Sequence, residues 1–302
     1  MKASVLLNAA AGLRPGPVQA EAARVRDLFA GVGVEAEVRQ VPGPDLLAAA
    51  REAAASDTDV VVMGGGDGTI SAGAGGLADT GKPMGVLPLG TLNHFARDLC
   101  IPGGIEDAVR NVAEGIVREV DLGEANGRIF VNNSSIGLYP AAVSLRDAWM
   151  ERQSMHKWVA MGRAALATLR EFPVVRVTLR VEEGGVNLTT PMVFIGNNRY
   201  DTRLFSLGKR PALDEGALWV YLARDAGRFR FVRLALRALV GRLDDSRDFQ
   251  GLALEQMVVE DRRRRLLRVA FDGEVGHVSP PLRYRIRPRA LRVIVPREPC
   301  AP

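Results

Sequence analysis

Cysteine is nearly missing. Only Cys100 and Cys300 occur in 302 residues, far apart and with no metal-ligand spacing around them, which argues against a disulfide framework and against a zinc site. Histidine is as scarce, and His94, His156 and His277 are too scattered to form a metal triad. Nowhere do about eighteen apolar residues follow one another, so the sequence reads as one that does not span a membrane. The opening MKASVLLNAAAG breaks its apolar run at Asn8, too early for the core of a signal peptide, and reads as a first strand in a chain suited to a reducing cytoplasm. Lysine is rare too: of 40 basic residues only Lys2, Lys82, Lys157 and Lys209 are lysines. The net charge of +5 is therefore carried by arginine, whose planar fork suits phosphates and anionic head groups. An arginine-biased genome would leave the same trace, and charge alone does not separate nucleic acid, membrane surface and nucleotide.

What is present is an ordinary globular composition, 47% hydrophobic and 25% charged, long enough for two compact domains. From Lys2 to about Val120 strands alternate with helices: strands at Ala3–Leu7, Glu35–Gln40, Val60–Met63 and Met84–Leu87, and helices at Val18–Ala30, Asp45–Ala55 and Ile70–Leu77. That alternation predicts a parallel sheet with helices on both faces and ligands at the carboxyl ends of its strands. After Asp121 short strand-like runs follow one another with turns between them, which predicts an antiparallel sandwich or half-barrel. The expected fold is thus an α/β nucleotide-binding domain over residues 1–120 and a β-rich domain over 121–287. Two segments, Ala141–Phe172 and Arg228–Leu243, interrupt the second domain as helices.

Chemistry is concentrated in two glycine-rich turns. Residues Val60–Thr69 read VVVMGGGDGT, a buried strand emptying into Gly64, Gly65, Gly66 and Gly68, where the backbone can approach a phosphate with its N–H groups free. Asp67 cannot attract an anion, so beside a phosphate its role is to hold a metal ion or orient the group transferred. The second turn, LPLGTLNHFAR at Leu87–Arg97, repeats the logic: Gly90 relaxes the backbone, Thr91 is a good N-cap, and a helix follows whose amino end favours an anion. Each turn alone is no more than an ordinary strand-to-helix connection; two in succession on one sheet edge can hold one polyphosphate. Neither GxxxxGK[ST] nor GxGxxG with a later acid is present, so the P-loop and dinucleotide modes lack their support.

GGGDGT at Gly64–Thr69, LPLGTLNHFARDL at Leu87–Leu99 and VNNSSIGLYP at Val131–Pro140 together resemble the diacylglycerol kinase catalytic-domain superfamily, which includes bacterial soluble lipid kinases and sphingosine kinases. Asn8–Gly12 is similar to its first nucleotide loop, without the usual proline, and Phe271-Asp272-Gly273-Glu274 to its C-terminal catalytic segment. The resemblance implies ATP in a cleft between the two domains, with Mg²⁺, and a lipid hydroxyl as acceptor at a peripheral membrane surface on the cytoplasmic side. By motif it places Asn8, Gly64, Gly65, Gly66, Asp67, Gly68, Thr69, Gly90, Thr91 and Asn93 at ATP, with Asp67 beside the triphosphate and its Mg²⁺. Glu274 matches the catalytic base and Asp121 an acid of the catalytic network. Glu215, with the carbonyls of Ala212 and Ala217, matches a structural Mg²⁺ loop, although Glu stands where Asp is usual. The tail beyond about residue 288 is expected to pack back on the first domain, nucleic acid is not an expected partner, and a homodimer is compatible with the resemblance.

Other readings stay open on the residues. Asp-Gly at 272–273 is by itself a hairpin signal, and Asp272 would share a face with Glu274 in a regular strand unless a turn intervenes. Arg228–Leu243 carries an arginine stripe opposite an apolar face, which suits either an anionic bilayer or domain packing. Trp149–Leu169 is equally divided between lipid groove and core. An NAD kinase-like enzyme, which shares a GGDGT loop, and a nucleotide-binding regulator without turnover are the alternatives to a lipid kinase.

Overall fold

The computed structural model describes residues 1–10, 18–137, 140, 174–181, 184–201, 209–223, 249–261 and 264–298. The helices expected at Ala141–Phe172 and Arg228–Leu243 lie outside these residues. The amino-terminal part runs β1 (Lys2–Asn8), α1 (Val18–Gly31), β2 (Glu35–Val41), α2 (Leu46–Ala55), β3 (Val60–Gly65), α3 (Asp67–Leu77), β4 (Met84–Pro88), α4 (His94–Asp98) and α5 (Ile105–Glu114). Its strands pair in parallel in the order β2-β1-β3-β4. All of β3 is buried, as a continuous apolar run must be when helices cover both faces of a parallel sheet. The pleat sends Val60 and Val62 to the side of Val25 and Phe29 of α1 and Val109 of α5, and Val61 and Met63 to the side of Ala50 of α2 and Ala74 of α3.

The sheet does not stop at β4. β5 (Ile116–Ala125) and the fourteen-residue β16 (Leu282–Val295) pair antiparallel, and Val293 of β16 sits parallel to Met84 of β4. Beyond β16 the same sheet continues through β13 (Gln256–Glu260), β8 (Val175–Val181) and β9 (Gly184–Thr190), while β6 (Arg128–Phe130) folds back on β5. A second, antiparallel sheet has the order β12 (Phe249–Leu254), β11 (Leu218–Ala223), β10 (Met192–Asn197), β7 (Asn133–Gly137), β14 (Leu267–Phe271), β15 (Glu274–Val278). Val177, Met257 and Tyr284 of the first sheet close a common core with Ile136, Ile195 and Val269 of the second, which makes this half a sandwich. The expected α/β sheet followed by an antiparallel sandwich is the fold observed, with β16 running along both.

Three details differ from the sequence expectation. Helix α3 starts at Asp67 rather than Ile70, so Asp67, Gly68 and Thr69 form its first turn. Strand β16 extends nine residues upstream of Leu291, its buried Leu282, Tyr284 and Ile286 alternating with arginines. Cys100 is disulfide-bonded, where the sequence pattern argued against a disulfide framework. Among the described residues no helix is long and apolar enough to cross a membrane.

Candidate active site

The two glycine turns lie at the carboxyl ends of neighbouring strands and touch backbone to backbone. Leu89 N–H donates to the Gly65 carbonyl at 2.9 Å, and a Cβ built on Gly90 would lie 2.4 Å from the Gly66 Cα. No side chain at Gly90 fits that gap, which is why the turn needs glycine there. Asn8, at the end of β1, joins them: its Nδ2 donates to the buried Thr69 Oγ1 at 2.9 Å and its Oδ1 accepts from Ala10 N–H. Gly64 and Gly65 are the last two residues of β3. Gly66 is the N-cap of α3 and no side chain caps it, so the first N–H groups of this eleven-residue helix are offered to a ligand with the positive end of its dipole behind them.

The second turn departs from its expectation. Thr91 is exposed and does not cap the helix; α4 begins at His94 with Asn93 as its N-cap, in the left-handed conformation at φ 49°. Asn93 instead ties the turn together, accepting from Gly90 N–H at 3.0 Å and donating to the Gly90 and Pro88 carbonyls. The amino end of α4 is not open to an anion either. His94 and Phe95 N–H both donate to the Asp67 carboxylate, each at 3.3 Å. Asp67 thus clamps one glycine turn to the helix that follows the other.

Glu274 reaches this corner from the far end of the chain. Asp272 (φ 48°) and Gly273 (φ 87°) make the two-residue turn between β14 and β15, for which Asp-Gly is suited. Beyond it the Glu274 carboxylate lies against the first turn of α3: a Cβ built on Gly68 would be 2.4 Å from its Oε1. Arg128 pairs with the other oxygen at 3.1 Å, while its guanidinium stacks over the Phe271 ring at 4.7 Å. The same turn separates Asp272 from Glu274. Asp272 accepts from the N–H groups of Val131, Asn132 and Asn133 at 2.9, 2.7 and 3.0 Å. Burial pushes its carboxyl above the usual carboxylate range, against these donors and Ser71, which pull it down.

Asn132 and Arg210, which the sequence reading did not single out, join these pieces. Asn132 donates from Nδ2 to Asp67 at 3.3 Å and accepts at Oδ1 from Arg210 at 2.7 Å. The Arg210 side chain is 0% exposed, paired with Asp98 of α4 at 2.7 Å, and donates to the Val131 and Asn197 carbonyls. Tyr200 lies under the same guanidinium, and burial raises its hydroxyl to about 12. Asn132 stands in a motif that the family resemblance quotes; nothing local marks Arg210.

Asp121 and Glu215 lie beside this network, joined to it by Asn197, whose Nδ2 donates to the Asp121 and Val131 carbonyls at 2.8 and 2.9 Å. The buried Asp121 carboxylate accepts from Gly216 N–H at 2.7 Å and Arg289 N–H at 2.8 Å, and its N–H donates to the Leu213 carbonyl. It pins the 212–217 loop to the bulge of β16. Glu215 accepts from the Trp219 indole at 3.0 Å and Arg199 N–H at 3.3 Å, and the Ala217 carbonyl accepts from Asn198 N–H at 3.1 Å. Ala212 is half-buried beside them. A magnesium ion needs several free oxygens in near-octahedral array. Here both hydrogen bonds to Glu215 fall on Oε2, and the Ala217 carbonyl takes one from Asn198. Glu215 with the Ala212 and Ala217 carbonyls would be the oxygens to hold a cation at this loop, and no step below runs through one there.

Between α2, α3 and the two turns of the sandwich lies a cleft of about 460 Å³, lined by Arg51, Gly68, Ser71, Ile129, Phe271 and Glu274 among others. An open α/β sheet with glycine turns at its carboxyl edge, met there by a carboxylate from a β-sandwich, defines the class: a two-part α/β and β-sandwich protein of the kind whose ligands bind in the crevice at the strand ends. The diacylglycerol kinase catalytic domain model matches residues 2–125, and the YegS C-terminal NAD kinase beta sandwich-like domain model matches residues 141–295. The chain belongs to the diacylglycerol kinase catalytic-domain superfamily, a family of kinases. It is 29% identical over 262 residues to a diacylglycerol kinase of Bacillus subtilis (strain 168), covering 84% of this chain and 83% of that one. To a diacylglycerol kinase of Staphylococcus aureus (strain JH9) it is 38% identical over 97 residues, 31% of this chain and 30% of that one. Two solved Bacillus anthracis str. Sterne structures share the fold: one, described as a diacylglycerol kinase, has a TM-score of 0.68 at 19% identity over 98% of this chain and 97% of its own. The other has 0.73 at 23% identity over 98% of each.

Proposed function

We propose that the protein transfers the γ-phosphoryl group of Mg-ATP to a hydroxyl of a diacylglycerol-like or other lipid alcohol, with Glu274 as the general base. The observation that carries the reading is the Glu274 carboxylate seated against Gly68, at the uncapped amino end of α3. The open N–H groups of α3 and the contact between Gly66 and Gly90 suit a triphosphate held by main chain, with Asn8 and Thr69 at its edge. The nucleoside then takes the cleft beside α3, whose wall is partly apolar. Asp67 would hold the Mg²⁺ that arrives with ATP; its three hydrogen bonds are long, 3.3 Å each, and a carboxylate has acceptor capacity beyond three. The lipid hydroxyl oxygen attacks the γ-phosphorus, its proton passes to Glu274, and the bond to the β–γ bridging oxygen breaks as ADP leaves. Arg128 pairs with the base and aims it. Asp121, whose two oxygens each accept one backbone N–H, acts by holding the 212–217 loop.

The reading is tested by incubating purified protein with total lipid extract, ATP and Mg²⁺ and looking by mass spectrometry for a new phosphate-bearing lipid. A new phospholipid carrying label from γ-labelled ATP is the expected result. NADP formed from NAD, with no lipid labelled, would favour the soluble-acceptor alternative, and ATP binding without transfer to either would favour a regulator.

A further inference from the structure

The outer face of the long sheet, away from the sandwich core, carries arginine in alternation. On β16 the buried Tyr284 and Ile286 flank exposed Arg285, with exposed Arg283 before it; on β8 exposed Arg176 and Arg180 alternate with buried Val175, Val177 and Leu179. Strand register sets them side by side. Val258 of β13 pairs with Arg283 on one side and Arg180 on the other, so two arginine stems stand in one row about 10 Å apart. The next row is Glu124, Arg285, Gln256.

Acids answer only part of this charge. Glu124 pairs with Arg285 at 2.9 Å and Arg287 at 3.2 Å, Asp79 also takes Arg287, and Glu260 pairs with Arg180 at 2.9 Å. Arg176 and Arg283 have no acidic partner among the described residues. Like charges at neighbouring positions of one sheet face cost stability unless an anion joins them. The rows enclose a hollow of about 470 Å³ whose walls include Arg180, Arg283 and Arg285 over Met257 and Val258. Asn126, at the turn from β5 to β6, borders both this hollow and the cleft that holds Glu274. The basic face and the reaction cleft therefore share a rim.

We propose that this face docks on an anionic bilayer, the hollow taking the phosphate of a lipid headgroup between the forks of Arg180, Arg283 and Arg285. The inference rests on the lipid-kinase reading, which needs an acceptor drawn from a membrane. Guanidinium forks match phosphate oxygens in pairs, and a broad sheet face can meet many headgroups in one plane. Docking there brings the shared rim, and with it Glu274, to the surface where a lipid hydroxyl is presented.

The test is sedimentation with vesicles of mixed phosphatidylglycerol and phosphatidylcholine, compared with phosphatidylcholine alone, for the wild-type chain and the double variant Arg180→Gln/Arg283→Gln. Each arginine at an anionic surface is worth about 1 kcal/mol, about fivefold, so the pair should weaken binding about thirtyfold. Arg26→Gln/Arg110→Gln, which removes equal charge from the first domain, should bind like wild type, and added salt should weaken wild-type binding. Melting temperatures verify that each variant is folded. Equal vesicle binding by the sheet-face variant and wild type, or wild-type binding to single-stranded DNA with none to vesicles, overturns the proposal. Vesicle binding that the double variant loses, in a protein that phosphorylates no lipid, would sustain the surface and remove the lipid-kinase reading instead.

Discussion

Replacing Gly68 by alanine separates stability from catalysis at a single atom. The new Cβ would fall 2.4 Å from Glu274 Oε1 and 3.3 Å from its Cδ. Carbon and oxygen in contact need about 3.5 Å, so the carboxylate must retreat about 1 Å. The Glu274 side chain is 65% exposed and moves at little cost. Gly68 also lies in the first turn of α3 with no positive φ, where alanine is the better helix former by up to about 1 kcal/mol. The variant should therefore melt at or slightly above the wild-type temperature. Displacing a reacting group by about 1 Å costs on the order of 100-fold in rate. Calorimetric melting and single-turnover transfer from γ-labelled ATP measure the two quantities side by side. An unchanged transfer rate would refute the placement of Glu274 against the glycine turn during reaction, and a large fall in melting temperature would refute the free retreat of its side chain.

Gly90→Ala should behave in the opposite way, because its Cβ meets the Gly66 backbone at 2.4 Å; a loss of about 1–3 kcal/mol together with weakened ATP binding by titration calorimetry is the expected outcome. Arg210→Met would leave the Asp98 carboxylate, 4% exposed, buried without its partner, and should cost about 3–5 kcal/mol in urea unfolding; a loss below about 1 kcal/mol would contradict the role of this pair. Asp272 gives a pH signature. Its carboxyl is raised above the ordinary value, mainly by burial, so the native state holds that proton more tightly than the unfolded chain. Its contribution is present below about pH 4 and is lost as pH rises through the native value. Urea midpoints of wild type should therefore fall relative to Asp272→Asn as pH climbs from about 4, and parallel curves would argue against a raised native value.

The parts of the fold that follow from local pattern were legible. β3 empties from a continuous apolar run into glycines, and that alone places a turn at a strand end. The sandwich strands show as short apolar runs between turns. The outer half of β16 shows the same alternation, Leu282, Tyr284 and Ile286 between arginines, but its charge density hides it from a reading that looks for apolar runs. The site divides in the same way. The glycine turns and Asp67 stand out by composition, whereas Glu274 follows an Asp-Gly pair that means hairpin by itself, and only the family resemblance gave it a role; the hairpin is there, with the Glu274 carboxylate against Gly68. Thr91 after Gly90 looks like an N-cap, yet Asn93 accepts the Gly90 N–H and delays α4 to His94. Arg210 could not be found this way. One buried arginine looks in sequence like any exposed one, and its role arises from Asp98, Asn132 and Asn197, which the fold brings together from distant positions.

Single-turnover transfer from γ-labelled ATP to lipid by Glu274→Gln, with ATP affinity measured on the same preparation, tests the central claim most directly. The account predicts near wild-type ATP binding and transfer slowed by about 100-fold or more, the range of general-base catalysis. Transfer at the wild-type rate would contradict it.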